Sequence, residues 1–300
     1  MLVYNLFSFT SLLVYSSTIL SMNILGISRS PRFSPNSADR DNAIFSAVAS
    51  RLMHLGHEVS VIAEDVFVAV DLEEFDAVFS MARGADVVHQ LCEAAAAGKP
   101  VLNAPDALLK ASRAALTACF QEHDIPQPRS LCLATDSPDV PSVISFPLWL
   151  KRGDACAQSA ADVCFIEDAE ALRHALAEFH ARDIETAVVS QHAEGDLVKF
   201  YGVEGTDFFH FLYPTEGEGF SKFGLEARNG VPHHFPFDAA QLKRIADRAA
   251  SVSGLTVYGG DAIVRADGSI LIIDFNDWPS FSPCRRPAAK AIAQRLVKSL

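Results

Sequence analysis

The chain has little positive charge and none of the short motifs that mark the commonest phosphate and metal chemistries. It carries 25 Lys and Arg against 37 Asp and Glu, a formal net charge of −12 over 300 residues. That balance argues against a nucleic-acid partner, although a few local cations suffice to bind a small anion. No G-x-x-x-x-G-K-[ST] segment occurs, and no G-x-G-x-x-G follows a strand-like run. Neither a P-loop nor a dinucleotide fingerprint therefore holds phosphate here. The six cysteines, at 92, 119, 132, 156, 164 and 284, include no C-x-x-C pair. They read as reduced thiols of a cytoplasmic protein. The ten histidines show neither H-x-x-x-H nor H-E-x-x-H spacing, which excludes the usual zinc-enzyme helices.

Residues 1–21 are apolar and uncharged, but they lack a basic n-region and a clear small-residue cleavage site. They read as an extension upstream of Met22, with a signal or anchor as the alternative. No membrane association is expected of the rest, and the sequence sets no oligomeric state.

Strand-like and helix-like runs alternate from Met22 onward. NILGIS, HEVSVIA, FDAVFSMA and PVLNA read as strands, with helices over 43–55 and 86–97 between them. That spacing belongs to βαβ units and a parallel sheet. Ligands bind such sheets beyond the carboxyl ends of the strands. The loops there carry Arg29, Arg32, Arg40 and Arg83, candidates for an anionic group. A helix over 108–122 follows, then LCLAT and FPLWLK as strands. Next come an amphipathic helix over 168–180 and the strands TAVVSQ, VKFYGVE and FFHFLYP. The Gly-rich stretch 217–238 reads as a loop over a site, and 242–253 as a helix closed by Gly254.

The most informative stretch is YGGDAIVRADGSILIIDFNDWPSF, at 258–281. Asp-Gly between two β-branched runs signals a hairpin. A two-residue turn at Asp267-Gly268 sets Asp261 opposite Asp274, with Asn276 on the same face. The other face would carry Ala262, Val264, Leu271, Ile273 and Phe275. A turn longer by one residue would send the two acids to opposite faces. Opposed carboxylates repel and call for a counter-charge. With an amide oxygen beside them they make a hard site suited to Mg²⁺ or Mn²⁺, which keeps open positions for phosphate oxygens. Lys151, at a strand end before a small-residue loop, is a candidate phosphate contact. Lys199, among apolar strand residues, requires an anion or a path to solvent.

The order of these parts resembles the ATP-grasp superfamily, in particular its carboxylate–amine ligases of the glutathione-synthetase and ribosomal-S6-modification type. The resemblance covers roughly 23–281, and YGGDAIVRADGSILIIDFN is its most specific segment. It implies an α/β fold: an N-terminal parallel βαβ (pre-ATP-grasp) domain over 22–105, then two α+β lobes over 106–195 and 196–300 that enclose the nucleotide. It further implies Asp261, Asp274 and Asn276 as metal ligands, with Asp274 where many members have Glu. SQHAEG resembles the hinge that holds adenine, through Gln191, His192 and Ala193. Lys151 and Arg113 match the two nucleotide lysines, the latter as an arginine, and Lys199 a basic residue near the phosphates. Asn229 sits where relatives place substrate- or phosphate-contacting residues. The family's glycine-rich flap is here KRGDACAQSAADV, where Arg152 or Gln158 would compensate for the missing glycines.

The activity so implied is an ATP-dependent ligation. ATP and Mg²⁺ (or Mn²⁺) convert a small-molecule carboxylate to an acyl phosphate, and an amine, or more rarely a thiol, displaces phosphate. Arg228 and Arg285 are candidates to hold the acyl intermediate, and Trp278 and Phe281 to wall a substrate pocket. Two rivals stand beside this expectation: a kinase on the same scaffold that phosphorylates a hydroxyl, and a nucleotide-binding module without turnover.

Overall fold

The computed structural model describes residues 21–34, 36–137, 143–155, 157–216 and 230–299. Residues 1–20, Arg228, Asn229 and most of the Gly-rich loop lie outside these. Three four-stranded sheets organise the chain.

The first sheet runs β2–β1–β3–β4, from β1 (Asn23–Ser28), β2 (Glu58–Ala63), β3 (Ala77–Ser80) and β4 (Val101–Leu102). All its pairs are parallel, as the βαβ spacing requires. Helix α1 (Ala38–His54) buries Ile44, Phe45, Val48 and Leu52 against it. This helix starts five residues before the expected 43. Asp39 and Asp41 in its first turn favour the positive helix end, and Ser34 Oγ donates to Asp41 Oδ2 at 2.6 Å. Gly26 lets two aromatic rings close over β1: a Cβ there would collide with Phe79 and lie 2.9 Å from Phe45 Cζ. Helix α2 (Ala85–Ala96) covers the other face with Val87 and Leu91.

The helix expected over 108–122 is two: α3 (Pro105–Leu109) and α4 (Arg113–Glu122). Ser112 ends the continuity by capping α4, its Oγ accepting from Ala115 N at 3.2 Å. That break places Arg113 on the first turn of α4.

The second sheet runs β5–β8–β6–β7, from β5 (Ser130–Ala134), β6 (Leu148–Arg152), β7 (Val163–Ile166) and β8 (Thr186–Gln191). Helix α5 (Ala169–His180), capped by Asp168, covers it with Leu172, Leu176 and Phe179. The third sheet runs β10–β9–β11–β12, from β9 (Asp196–Val203), β10 (Phe209–Leu212), β11 (Val257–Val264) and β12 (Ile270–Asp277). Both sheets are antiparallel. Helix α6 (Ala239–Ser253) packs under the third and ends at Gly254, whose φ of 76° a side chain would resist.

The terminal helix α7 (Arg285–Val297) returns to the first sheet, sharing one core with α1, Trp278 and Phe281. Asn103 ties the same region to β11. Its amide donates to Val257 O at 3.0 Å and accepts from Val257 N at 2.6 Å. Among the described residues no helix is long and apolar enough to cross a membrane.

The hairpin β11–β12 pairs Asp261 with Asp274, but by a different route from a two-residue turn. Arg265 N donates to Ser269 O and Gly268 N to Arg265 O, both at 2.9 Å, so the loop spans Ala266, Asp267 and Gly268. Gly268 takes φ 78°, the left-handed residue of a three-residue loop. Near the turn the register is therefore shifted by one, with Ala262 opposite Ile272. A β-bulge that leaves Ile273 unpaired then restores it, and the two acids meet. The bulge also corrects the expected apolar face. Ile270 and Ile272 join Ala262, Val264 and Phe275 in the core, while Leu271 and Ile273 do not.

Candidate nucleotide and metal site

A cavity of about 360 Å³ lies between the two antiparallel sheets and opens toward the carboxyl ends of β1 and β3. Its middle is charged. Lys199 and Asp261 are paired across β9 and β11, with Nζ 3.0 Å from Oδ1 and 3.3 Å from Oδ2. The anion that an interior lysine requires is thus its cross-strand neighbour. Arg113 reaches from α4 to Asp274 Oδ1 at 3.2 Å, and Asn276 Nδ2 donates to Asp274 Oδ2 at 3.0 Å. Arg113 also donates to the carbonyls of Arg152, at 3.0 Å, and Ala155, at 3.4 Å, so it clasps β6 to β12.

Lys151 is buried, and its Nζ donates to Ile273 O at 2.8 Å. The bulge thus turns a carbonyl without a ladder partner toward a cation. Burial pulls the Lys151 pKa down to about 8; Asp274 opposes that shift and Arg113 adds to it. Burial by itself would raise Asp274. The neighbouring Arg113 and Lys151, with the Asn276 amide, overcome it and hold the carboxyl at about 2. Burial pushes Tyr201, two residues beyond Lys199 and on the cavity wall, up to about 12.

The donor set suits a hard divalent cation. Asp274 is ionised at neutral pH, Asp261 faces it, and Asn276 stands beside them. Among the described residues no group of three or more His, Cys, Asp or Glu side chains converges. A cation here would have two carboxylates and an amide oxygen, and would complete its shell from water or phosphate, as Mg²⁺ does.

The far wall is apolar, with Val163, Val188, Leu197 and Ile263. Gln191 and Ala193 line it, but the His192 ring does not. That ring stands behind Trp149, accepting from its Nε1 at 3.1 Å, and meets Phe165 edge-on. Trp149, which the sequence reading passed over, forms the wall itself.

The opposite end is built by Arg29, Arg83, Asp41 and Asp277. Arg29 lies 3.1 Å from Asp41 and 3.3 Å from Asp277, and Arg83 also pairs with Asp277. Arg32 and Arg40 do not line the cavity: Arg32 lies over the Phe33 ring and Arg40 donates to Asn36 O. Arg285 is likewise displaced, because it opens α7 and that helix packs on α1. Trp278 lines the cavity, whereas Phe281 is core only. Arg152 and Gln158 do not cover the site. Buried Asp162 holds Arg152 Nη1 at 3.4 Å and Gln158 N at 2.7 Å, and Asp154 takes the rest of Arg152. Asp41, Asp277 and Tyr201 were missed as site residues; the one signal for Tyr201 is its i+2 spacing from Lys199 on a strand.

Two antiparallel sheets facing across a cleft, preceded by a parallel βαβ sheet, define the ATP-grasp fold, and solved structures agree. An ATP-grasp RimK-domain protein from Sphaerobacter thermophilus is 18% identical, with a TM-score of 0.62, and the match covers 90% of this chain and 98% of that one. D-alanine–D-alanine ligase from Bacillus anthracis, solved with ATP, is 12% identical at TM-score 0.62, covering 93% and 99%. D-alanyl-alanine synthetase A from Vibrio cholerae is 14% identical at TM-score 0.65, covering 93% and 98%. No protein-family model and no curated protein matches the chain by sequence. The chain has the ATP-grasp fold, and the likeness is one of structure at low identity.

Proposed function

We propose that this protein is an ATP-dependent ligase that joins a small-molecule carboxylate to an amine through an acyl phosphate. The observation that carries the proposal is the opposed pair Asp261 and Asp274, with Asn276, set among Arg113, Lys151 and Lys199 in one cavity. Asp261, Asp274 and Asn276 would hold Mg²⁺ or Mn²⁺, which supplies charge neutralisation on the phosphates when bound. Arg113, Lys151 and Lys199 hold phosphate oxygens, and Trp149, Ala193 and the backbone at Gln191 and His192 receive the base. The substrate carboxylate attacks the terminal phosphorus, ADP leaves, and the amine then displaces phosphate from the acyl carbon. The protein contributes alignment and electrostatic stabilisation, not a covalent intermediate of its own. The end walled by Arg29, Arg83, Asp41 and Asp277 receives the acceptors. In this assignment 22–105, 106–195 and 196–300 are the pre-ATP-grasp domain and the two lobes. Small-molecule chemistry of this kind goes with a cytoplasmic protein, in keeping with the unpaired thiols of the five described cysteines.

The test is ADP release with Mg²⁺ against pools of carboxylic acids and amines, each alone and then together. A ligase requires both acceptors, and Asp274→Asn abolishes turnover. Release with a hydroxyl compound alone identifies a kinase instead. ATP binding without release under any mixture, unaffected by Asp274→Asn, identifies a binding module.

A further inference from the structure

Both carboxylates proposed for the metal already have a side-chain cation. Lys199 spans both oxygens of Asp261, and Arg113 and the Asn276 amide each take one oxygen of Asp274. Lys151 adds a third cation, anchored one residue away on Ile273 O. Three positive groups therefore face two negative ones among the described residues at this end. The Arg29, Arg83, Asp41 and Asp277 cluster at the other end sums to zero. A bare divalent ion would enter a region of net positive charge and would have to break two ion pairs. A polyanionic triphosphate reverses both conditions. It offers the basic side chains better partners and releases the carboxylates to the metal.

We infer that Lys199 and Arg113 act as electrostatic gatekeepers of the metal site, so that the divalent ion enters only together with the nucleotide. The inference rests on the proposed nucleotide site, and it concerns the order of binding rather than the reaction catalysed. The two residues are positioning groups in this role. Each exchanges a carboxylate for a phosphate when the site fills.

The test titrates Mn²⁺ into the full-length protein and follows the free ion by electron paramagnetic resonance. Titrations run without nucleotide and with a non-hydrolysable ATP analogue. The wild type should bind Mn²⁺ weakly alone and far more tightly with the analogue. Lys199→Gln and Arg113→Gln should bind free Mn²⁺ about 10-fold more tightly than the wild type, since each removes a cation within a few ångströms of a ligand carboxylate. Lys199→Arg, which keeps the charge, should stay weak, and matched melting curves show that the variants are folded. Analogue-stimulated binding in the wild type with no gain in either glutamine variant overturns the gatekeeping alone. Tight Mn²⁺ binding by the wild type without nucleotide overturns it as well. Absence of analogue-stimulated binding overturns the nucleotide site itself, and the gatekeeping with it.

Discussion

Replacing Lys151 with methionine should stabilise the ligand-free protein while weakening its hold on nucleotide. Lys151 is 8% exposed, and its ammonium donates to Ile273 O at 2.8 Å. Burial brings its pKa from 10.5 down to about 8, even with Asp274 nearby. At 1.36 kcal/mol per tenfold change in the acidity constant, keeping that cation in place costs about 3 kcal/mol relative to the unfolded chain. The folded value lies below the unfolded one, so the unfolded chain binds more protons between about pH 8 and 10.5. The penalty is therefore whole below pH 8, relieved through that window and gone above it. Methionine keeps the length and fills the space, giving up a hydrogen bond worth about 1 kcal/mol. Lys151→Met should gain about 1–3 kcal/mol in urea unfolding near pH 7, and the gap should shrink by about 2 kcal/mol near pH 9.5. Calorimetric affinity for the ATP analogue should fall at least about 10-fold, since a charged contact is lost. A variant less stable than wild type at neutral pH, or a gap that ignores pH, would falsify the account of a strained, functional lysine.

Two further outcomes probe the hairpin. Gly260→Ala would push a Cβ into the Asp274 carbonyl oxygen and to 2.6 Å from Phe200 Cζ. Thermal melting should report a loss of about 1–3 kcal/mol, and Mn²⁺ binding should weaken in step; an unchanged melting temperature would deny the close approach. Deleting Ile273 removes the bulge yet leaves Asp261 opposite Asp274, because Ile272 already faces Ala262. Calorimetry on that deletion should show metal-dependent nucleotide binding retained but weakened about 10-fold, for want of the carbonyl that holds Lys151. Loss of the metal dependence itself would mean that the bulge does not set the register as described.

The parallel sheet, most of the strands and helices, and the helix stop at Gly254 were legible in the sequence because each rests on local periodicity or one conformational requirement. The hairpin was legible only in part. Asp-Gly located the turn, but its length was misjudged by one residue, and the Ile273 bulge cancelled the error. Bulges leave little trace in an apolar run, so alternation across ILIID assigned Leu271 and Ile273 to the wrong face. Arg285 was misplaced for a different reason. Its position near the metal strand in sequence says nothing about α7 turning away to pack on α1.

Alternating apolar residues and a turn dipeptide were enough to bring Asp261 and Asp274 onto neighbouring strands, since both act over a few residues. Which cations answer those acids was decided by the tertiary fold alone. Lys199 and Arg113 stand 62 and 161 residues away from the carboxylates they meet. Only the antiparallel pairing of β9 with β11, and the break that starts α4 at Arg113, brings such distant charges within reach. The same holds for the walls of the cavity, drawn from both antiparallel sheets and from the segments that follow β1 and β3, because burial and charge pairing depend on where surfaces meet rather than on what lies adjacent along the chain.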